Sequence, residues 1–161
     1  MKYFLKISLF IIILIVPGDN HPLHANQSKA DGHDGIVLTE RQRGYRPKEM
    51  SQWFLSEPLP AQGVVLLIHG LNQKPSKWAD MIDFLNAGEY HVFRLTLKGH
   101  GGAPFNDMKQ VDDEIWLDDI GVGINEIQNR FPDAPKLLMA YSLGAQTALE
   151  YQLKLERRIF N

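Results

Sequence analysis

The stretch of this chain best suited to chemistry is Ala140-Tyr141-Ser142-Leu143-Gly144. A serine hydroxyl that is to attack a carbonyl must stand clear of its surroundings on a tight bend from strand to helix. That bend strains the serine backbone and leaves room only for small residues two positions to either side. Ala140 and Gly144 meet this steric condition. The helix that follows turns its first N–H groups and the positive end of its dipole toward the place where an oxyanion would develop. A serine that merely capped the helix would need no small residue on both sides. Two more stretches stand out: His69-Gly70-Leu71 at the end of one apolar run, and Lys98-Gly99-His100-Gly101 after another.

The elements that must position these residues can be read from periodicity. Gly63 to His69 is a continuous, largely β-branched apolar run, the pattern of a strand buried on both faces in a parallel sheet. Ser76 after Pro75 is placed to cap a helix whose Trp78, Met81, Ile82 and Leu85 share one face, with Asn86-Ala87-Gly88 ending it. His91 to Leu97 reads as the next strand. A helix then starts near Asp112-Asp113 and runs to Arg130, with Trp116, Ile120, Ile124, Ile127 and Phe131 on one side. Gly121 and Gly123 within it mark close packing against a neighbour, and Asp112, Asp113, Glu114, Asp118 and Asp119 read as a cap and a solvated face. Lys136 to Ser142 is the last strand, and the final helix carries Ala145, Ala148, Leu149 and Leu153. Upstream, Ile36–Leu38 and Gln52–Leu55 read as short strands. Strands alternating with helices after a β-rich start predict an open, doubly wound, mostly parallel α/β sheet.

With those elements around them, the three stretches resemble the motifs of the α/β-hydrolase superfamily over about Gly63 to Leu153. The turn at Ser142 resembles its nucleophile elbow, with Ala140 where the first glycine of Gly-x-Ser-x-Gly commonly stands. His69-Gly70-Leu71 resembles the His-Gly turn of the oxyanion loop, and Lys98-Gly99-His100-Gly101 the Gly-His-Gly turn after the fourth strand. The resemblance implies that Ser142 is the nucleophile and that the backbone N–H groups of Leu71 and Leu143 form the oxyanion hole. His69, Gly70, Ala140 and Gly144 are then supporting residues. It also implies that His69 organises its loop rather than taking the serine proton, and that His100 is a turn residue.

In this fold the triad follows the chain order Ser, then Asp or Glu, then His. After Ser142 come Glu150 and Glu156 but no histidine. The sequence therefore reads as the N-terminal part of such a domain, stopping after the nucleophile-elbow helix, with acid and base outside it and little activity of its own. The strand ending at Ser142 is expected to lack a neighbour on one side, which exposes its edge to self-association. Two functions fit. One is a serine hydrolase acting on a carboxylic ester, thioester or related acyl substrate; the other is a non-catalytic ligand-binding or remnant protein on the same fold. A strained serine with both oxyanion elements favours the enzyme, since a binder has no need of it.

Composition sets the remaining limits. The chain has 161 residues with 17 Lys+Arg, 19 Asp+Glu and a net charge of -2, so no broad positive field draws nucleic acid. With no cysteine, disulfides, thiolate metal sites and a cysteine nucleophile are excluded. No cofactor or metal is expected, because His33 and Asp34 have no other ligand pair nearby at coordinating spacing. Lys2 and Lys6 precede the apolar run Ile7 to Val16, and Pro17-Gly18 ends it. That run is shorter than the roughly 20 residues of a membrane-spanning helix. It reads as a signal peptide over residues 1–25, cut after Ala25 with Ala30 as second choice. An uncleaved anchor is the weaker alternative. Residues 26–35, with Gly32-His33-Asp34-Gly35, read as a linker, and 36–161 as the hydrolase part of an exported chain.

Overall fold

Gly63–Ile68 forms a strand in which every residue is buried, as its unbroken apolar run requires of a strand covered on both faces. It is the third strand, β3, of a five-stranded sheet with the order β1-β5-β3-β4-β2. The computed structural model describes residues 11–15, 32–57, 59–102 and 108–159. The strands are β1 (Ile11–Ile15), β2 (Gln52–Phe54), β3, β4 (Tyr90–Leu95) and β5 (Lys136–Tyr141), and the α-helices are α1 (Gly32–Gln42), α2 (Ala79–Ala87), α3 (Asp113–Arg130) and α4 (Leu143–Ile159). β3 is parallel to β4 on one side and to β5 on the other, whereas β2 and β1 pair antiparallel at the two edges.

The chain winds both ways from β3. Trp78, Ile82 and Leu85 on α2 and the turn before it pack with Val65, Leu67 and Val92 on one face of the sheet. α3 and α4 cover the other face, with Leu117, Ile120, Ile124, Ile127, Ala145, Ala148 and Tyr151 against Val64, Leu66, Ile68, Phe93 and Leu95. This is the expected doubly wound, mostly parallel α/β arrangement. Its strand order reverses at β3, so the C-terminal ends of β3 and β5 border the crevice where open sheets of this kind bind ligands.

The two helical glycines now have neighbours. A methyl on Gly121 would meet the Tyr151 ring of α4 at 3.3 Å, and one on Gly123 would meet Leu66 and Leu95 at 3.1 Å. On α4, Ala145, Ala148 and Tyr151 are the buried hydrophobic residues among those described, while Leu149 and Leu153 of the expected apolar set are exposed.

Five expectations are corrected. Ile36–Leu38 is not a strand and Gly32–Gly35 is not linker, because both belong to α1. β-branched composition loses there to tertiary contacts: Ile36 packs against the α3 side of the core, and Glu40, buried, accepts hydrogen bonds from the Ser51 N–H at 2.8 Å and the Ser51 hydroxyl at 2.6 Å. Ser76 is no helix cap; it lies inside the short 3₁₀ helix Pro75–Trp78, and its N–H and hydroxyl both donate at 2.9 Å to the buried Glu49 carboxylate. Asp119 is not on a solvated face; its carboxylate accepts the Lys98 N–H in a partly buried contact. Finally, the outer edge of β5 is not bare. β1 pairs along it from Ile11 opposite Tyr141 to Ile15 opposite Leu137, so part of the apolar run expected in the leader serves as an edge strand. The cleavage positions after Ala25 and Ala30, and the segment Asn26 to Asp31, lie outside the described residues. No helix among the described residues is long and apolar enough to cross a membrane.

Candidate active site

Ser142 sits at the corner between β5 and α4 with φ at +52°, in the left-handed region that a side-chain-bearing residue seldom adopts. Its side chain is exposed. The sequence folds sharply here because its neighbours are small. Ala140, fully buried, pairs with Ile68 of β3, and Gly144 lies so close to β3 that an added Cβ would overlap the His69 carbonyl oxygen and come within 2.8 Å of Ile68 Cγ2. Gly70 is equally tight, since a Cβ there would lie 3.0 Å from Ser142 Cβ and 2.8 Å from the Tyr141 ring. The His69-Gly70-Leu71 loop is therefore pressed directly against the Ser142 turn.

Opposite changes are expected at these positions. Ser142→Gly relieves the left-handed conformation and should stabilise the fold by about 1 kcal/mol. Gly144→Ala forces a methyl into backbone and should cost about 2 kcal/mol or more. Denaturant midpoints measure both; a neutral Gly144→Ala would mean that α4 does not seat against β3 as described.

His69 is buried and fully engaged. Its Nε2 accepts the Leu97 N–H at 3.1 Å, so the ring proton sits on Nδ1 and is donated to the Gly70 carbonyl at 3.0 Å. Burial, above all, brings the His69 pKa down to about 3; the Gly70 hydrogen bond opposes this, and the His100 and Arg94 charges add to the lowering. The imidazole is thus neutral at ordinary pH with both nitrogens committed to backbone. The Gly70 carbonyl it holds belongs to the same peptide unit as the Leu71 N–H. Leu71 itself is exposed, and Leu143 is half-buried in the first turn of α4.

His100 is 4.6 Å from His69, centroid to centroid, and its Nε2 lies 2.8 Å from the Leu71 carbonyl oxygen. A carbonyl only accepts, so Nε2 carries the proton. Among the described residues no histidine is hydrogen-bonded to the Ser142 hydroxyl: His69 and His100 hold backbone, and His91 accepts from the Ser56 N–H at 3.1 Å.

Residues 60–160 match the serine aminopeptidase S33 family. The chain belongs to that family. It is thereby an α/β-hydrolase, and the matched region runs from just before β3 into the end of α4, taking in both loops and the Ser142 turn. No curated protein sequence is a significant match.

The residue that periodicity missed in this S33-family site is Asp119. Its Oδ2 accepts the Lys98 N–H at 2.7 Å, and one turn earlier the Trp116 indole donates to the Lys98 carbonyl at 3.1 Å. An acidic residue three positions from a tryptophan on the core-facing side was the available signal. Burial raises the Asp119 pKa to about 7, aided by the Glu40 charge and opposed by the Lys98 N–H and the Arg43 and Lys98 charges.

Stability is expected to depend on pH through this group. A carboxylate whose pKa rises on folding costs nothing below its unfolded value near 3.8; the cost grows as pH rises and is complete above about 7. His69, with its lowered pKa, tilts the curve the other way below about 6.5, which masks the slope in the native protein. The clean comparison is Asp119→Asn. It should match the native protein near pH 4 and exceed it by about 2 kcal/mol at pH 8. Thermal melts across that range test this, and parallel curves would mean that Asp119 is ionised as easily as in water.

Proposed function

We propose that this α/β-hydrolase is a serine hydrolase acting on a carboxylic ester, thioester or related acyl substrate, with Ser142 as nucleophile. The left-handed Ser142 backbone with Gly70 packed against it carries the proposal, because such strain persists only where the surroundings hold it and has no use in a scaffold. Ser142 Oγ bonds to the substrate carbonyl carbon, and the Leu71 and Leu143 N–H groups receive the negative oxygen. Collapse of that intermediate breaks the bond to the leaving group; water then releases the acid and restores the serine. The serine proton passes to a general base, which in this fold is a histidine later in the chain than the nucleophile. No histidine follows Ser142 in this sequence, so the base is assigned to none of its residues.

The reaction needs no cofactor in this scheme. Export, on the basis of Lys2, Lys6 and the apolar run that follows, is proposed as well. Terminal sequencing after expression with a secretion system checks that point: a new N-terminus at Asn26 supports it, and an intact Met1 in the cytoplasm refutes it.

An alkyl fluorophosphonate tests the nucleophile. Slow phosphonylation at Ser142, mapped by peptide mass and absent from Ser142→Ala, is the expected result. Label spread over exposed serines with Ser142 spared would remove Ser142 from its role.

A further inference from the structure

The His69–Leu71 loop, pressed against the Ser142 turn, and the loop that follows β4 clasp each other reciprocally. His69 of the first loop takes the Leu97 N–H of the second, and His100 of the second donates to the Leu71 carbonyl of the first. Leu97 to His100 is itself a tight turn, closed by the His100 N–H to the Leu97 carbonyl at 3.1 Å. Gly99, third in the turn, has φ at +88°, which a type II turn requires and glycine accommodates. The middle of this turn is gripped from outside. Asp119 holds the Lys98 N–H, Trp116 holds the Lys98 carbonyl, and the Tyr45 hydroxyl accepts the Gly99 N–H at 3.0 Å.

We propose that His100 and Asp119 are positioning residues for the loop Gly70–Gln73: Asp119 on α3 aims the Leu97–His100 turn through Lys98, and His100 passes that aim to Leu71. The proposal deepens the hydrolase function and rests on it for its purpose, since Leu71 is there the oxyanion donor. Fixing the Leu71 carbonyl and, through His69, the Gly70 carbonyl orients two successive peptide units, the first of which carries the Leu71 N–H. Preorganised donors of this kind are effective because they need not reorient during the reaction.

Neither residue touches Ser142 through a hydrogen bond, which separates this role from a catalytic one. The titratable and charged groups around Asp119 are Glu40 from α1, Arg43 from the turn just after it and Lys98 from the turn that Asp119 holds, and the burial that raises its pKa to about 7 also holds the carboxylate in place against the Lys98 N–H.

Amide hydrogen exchange on the full chain tests the coupling without any hydrolysis. The reporter is the Gln73 N–H, which bonds the Gly70 carbonyl at 3.1 Å and so records opening of the oxyanion loop. His100→Ala is expected to speed its exchange about tenfold, the factor that corresponds to roughly 1.4 kcal/mol of lost hydrogen bonding. His100→Gln, which keeps an N–H donor, should restore most of the protection. Asp119→Ala should speed the same amide although it does not touch that loop, and Asp119→Asn, which still accepts the Lys98 N–H, should not. In the double variant His100→Ala/Asp119→Ala the two effects should fail to add, because they act along one path.

Additive effects, or protection unchanged in His100→Ala, would overturn the proposal. Uniform acceleration of core amides in β3 and β5 would also count against it, since that marks general loosening. Fluorophosphonate labelling of the native chain stands apart: a coupled loop with an unreactive Ser142 would retain the positioning path and reject the hydrolase function.

Discussion

Deleting residues 1–25 is expected to turn a monomer into a self-associating species. Those residues include β1, which pairs with β5 from Leu137 to Tyr141. Without it, one side of β5 presents unpaired N–H and C=O groups along Leu137-Leu138-Met139-Ala140-Tyr141, a stretch with no charge after Lys136. Natural sheets protect such edges with charges, prolines or a cover, because a bare apolar edge templates pairing with another chain. An antiparallel partner fits, as β1 demonstrates, and β5 of a second copy could supply one across a two-fold axis. Size-exclusion chromatography with light scattering decides the matter: a monomeric chain with residues 1–25 present and a dimeric or larger deletion are expected. A truncated chain that remained monomeric and melted cooperatively would show that β1 is dispensable as a cover. The result bears directly on export, because the cleavage that releases a leader at Ala25 would also uncover β5.

The second large effect is catalytic. On a short-chain aryl ester these 161 residues, in which no histidine follows Ser142, should show no more than the residual acceleration of a serine without its general base, about 10³–10⁴ over water, and Ser142→Ala should lower even this. Added imidazole, as a substitute base, should raise turnover in the native chain and leave Ser142→Ala unchanged. Robust unassisted turnover that disappears in Ser142→Ala would place a base within these residues. Loss of that turnover in His100→Gln, which keeps an N–H donor for the Leu71 carbonyl but removes the imidazole base, would then identify His100 as the base, and unchanged turnover would dismiss it. Turnover equal in the native chain and Ser142→Ala would take the reaction away from this serine.

Much of this architecture was legible in the sequence because it is governed by short-range rules. A buried parallel strand must be apolar at every position, and Gly63–Ile68 is. A helix on one face of a sheet must repeat its apolar residues at 3.6-residue spacing, as Ile120, Ile124 and Ile127 do, and Asp112 caps that helix as its position implied, accepting the Ile115 N–H at 3.0 Å. The Ser142 turn was legible for the same kind of reason, since a left-handed residue wedged against β3 excludes large side chains at Ala140 and Gly144.

What sequence order could not settle was every choice made by a distant partner. Ile36–Leu38 has strand-like residues and becomes helix because the core takes Ile36 while Ser51 takes Glu40. Ser76 looks like a cap until Glu49, far upstream, claims both its N–H and its hydroxyl. Asp119 looks like one more solvated acid until the chain brings the Lys98 N–H to it. Ile11–Ile15 has the composition of a leader and also of a strand, and only the open side of β5 selects between them within the fold. Local periodicity and steric limits at tight turns act within a few residues and are written in the sequence. The pairing of buried polar groups and sheet edges depends on which distant segments meet, and that was decided by the tertiary structure alone.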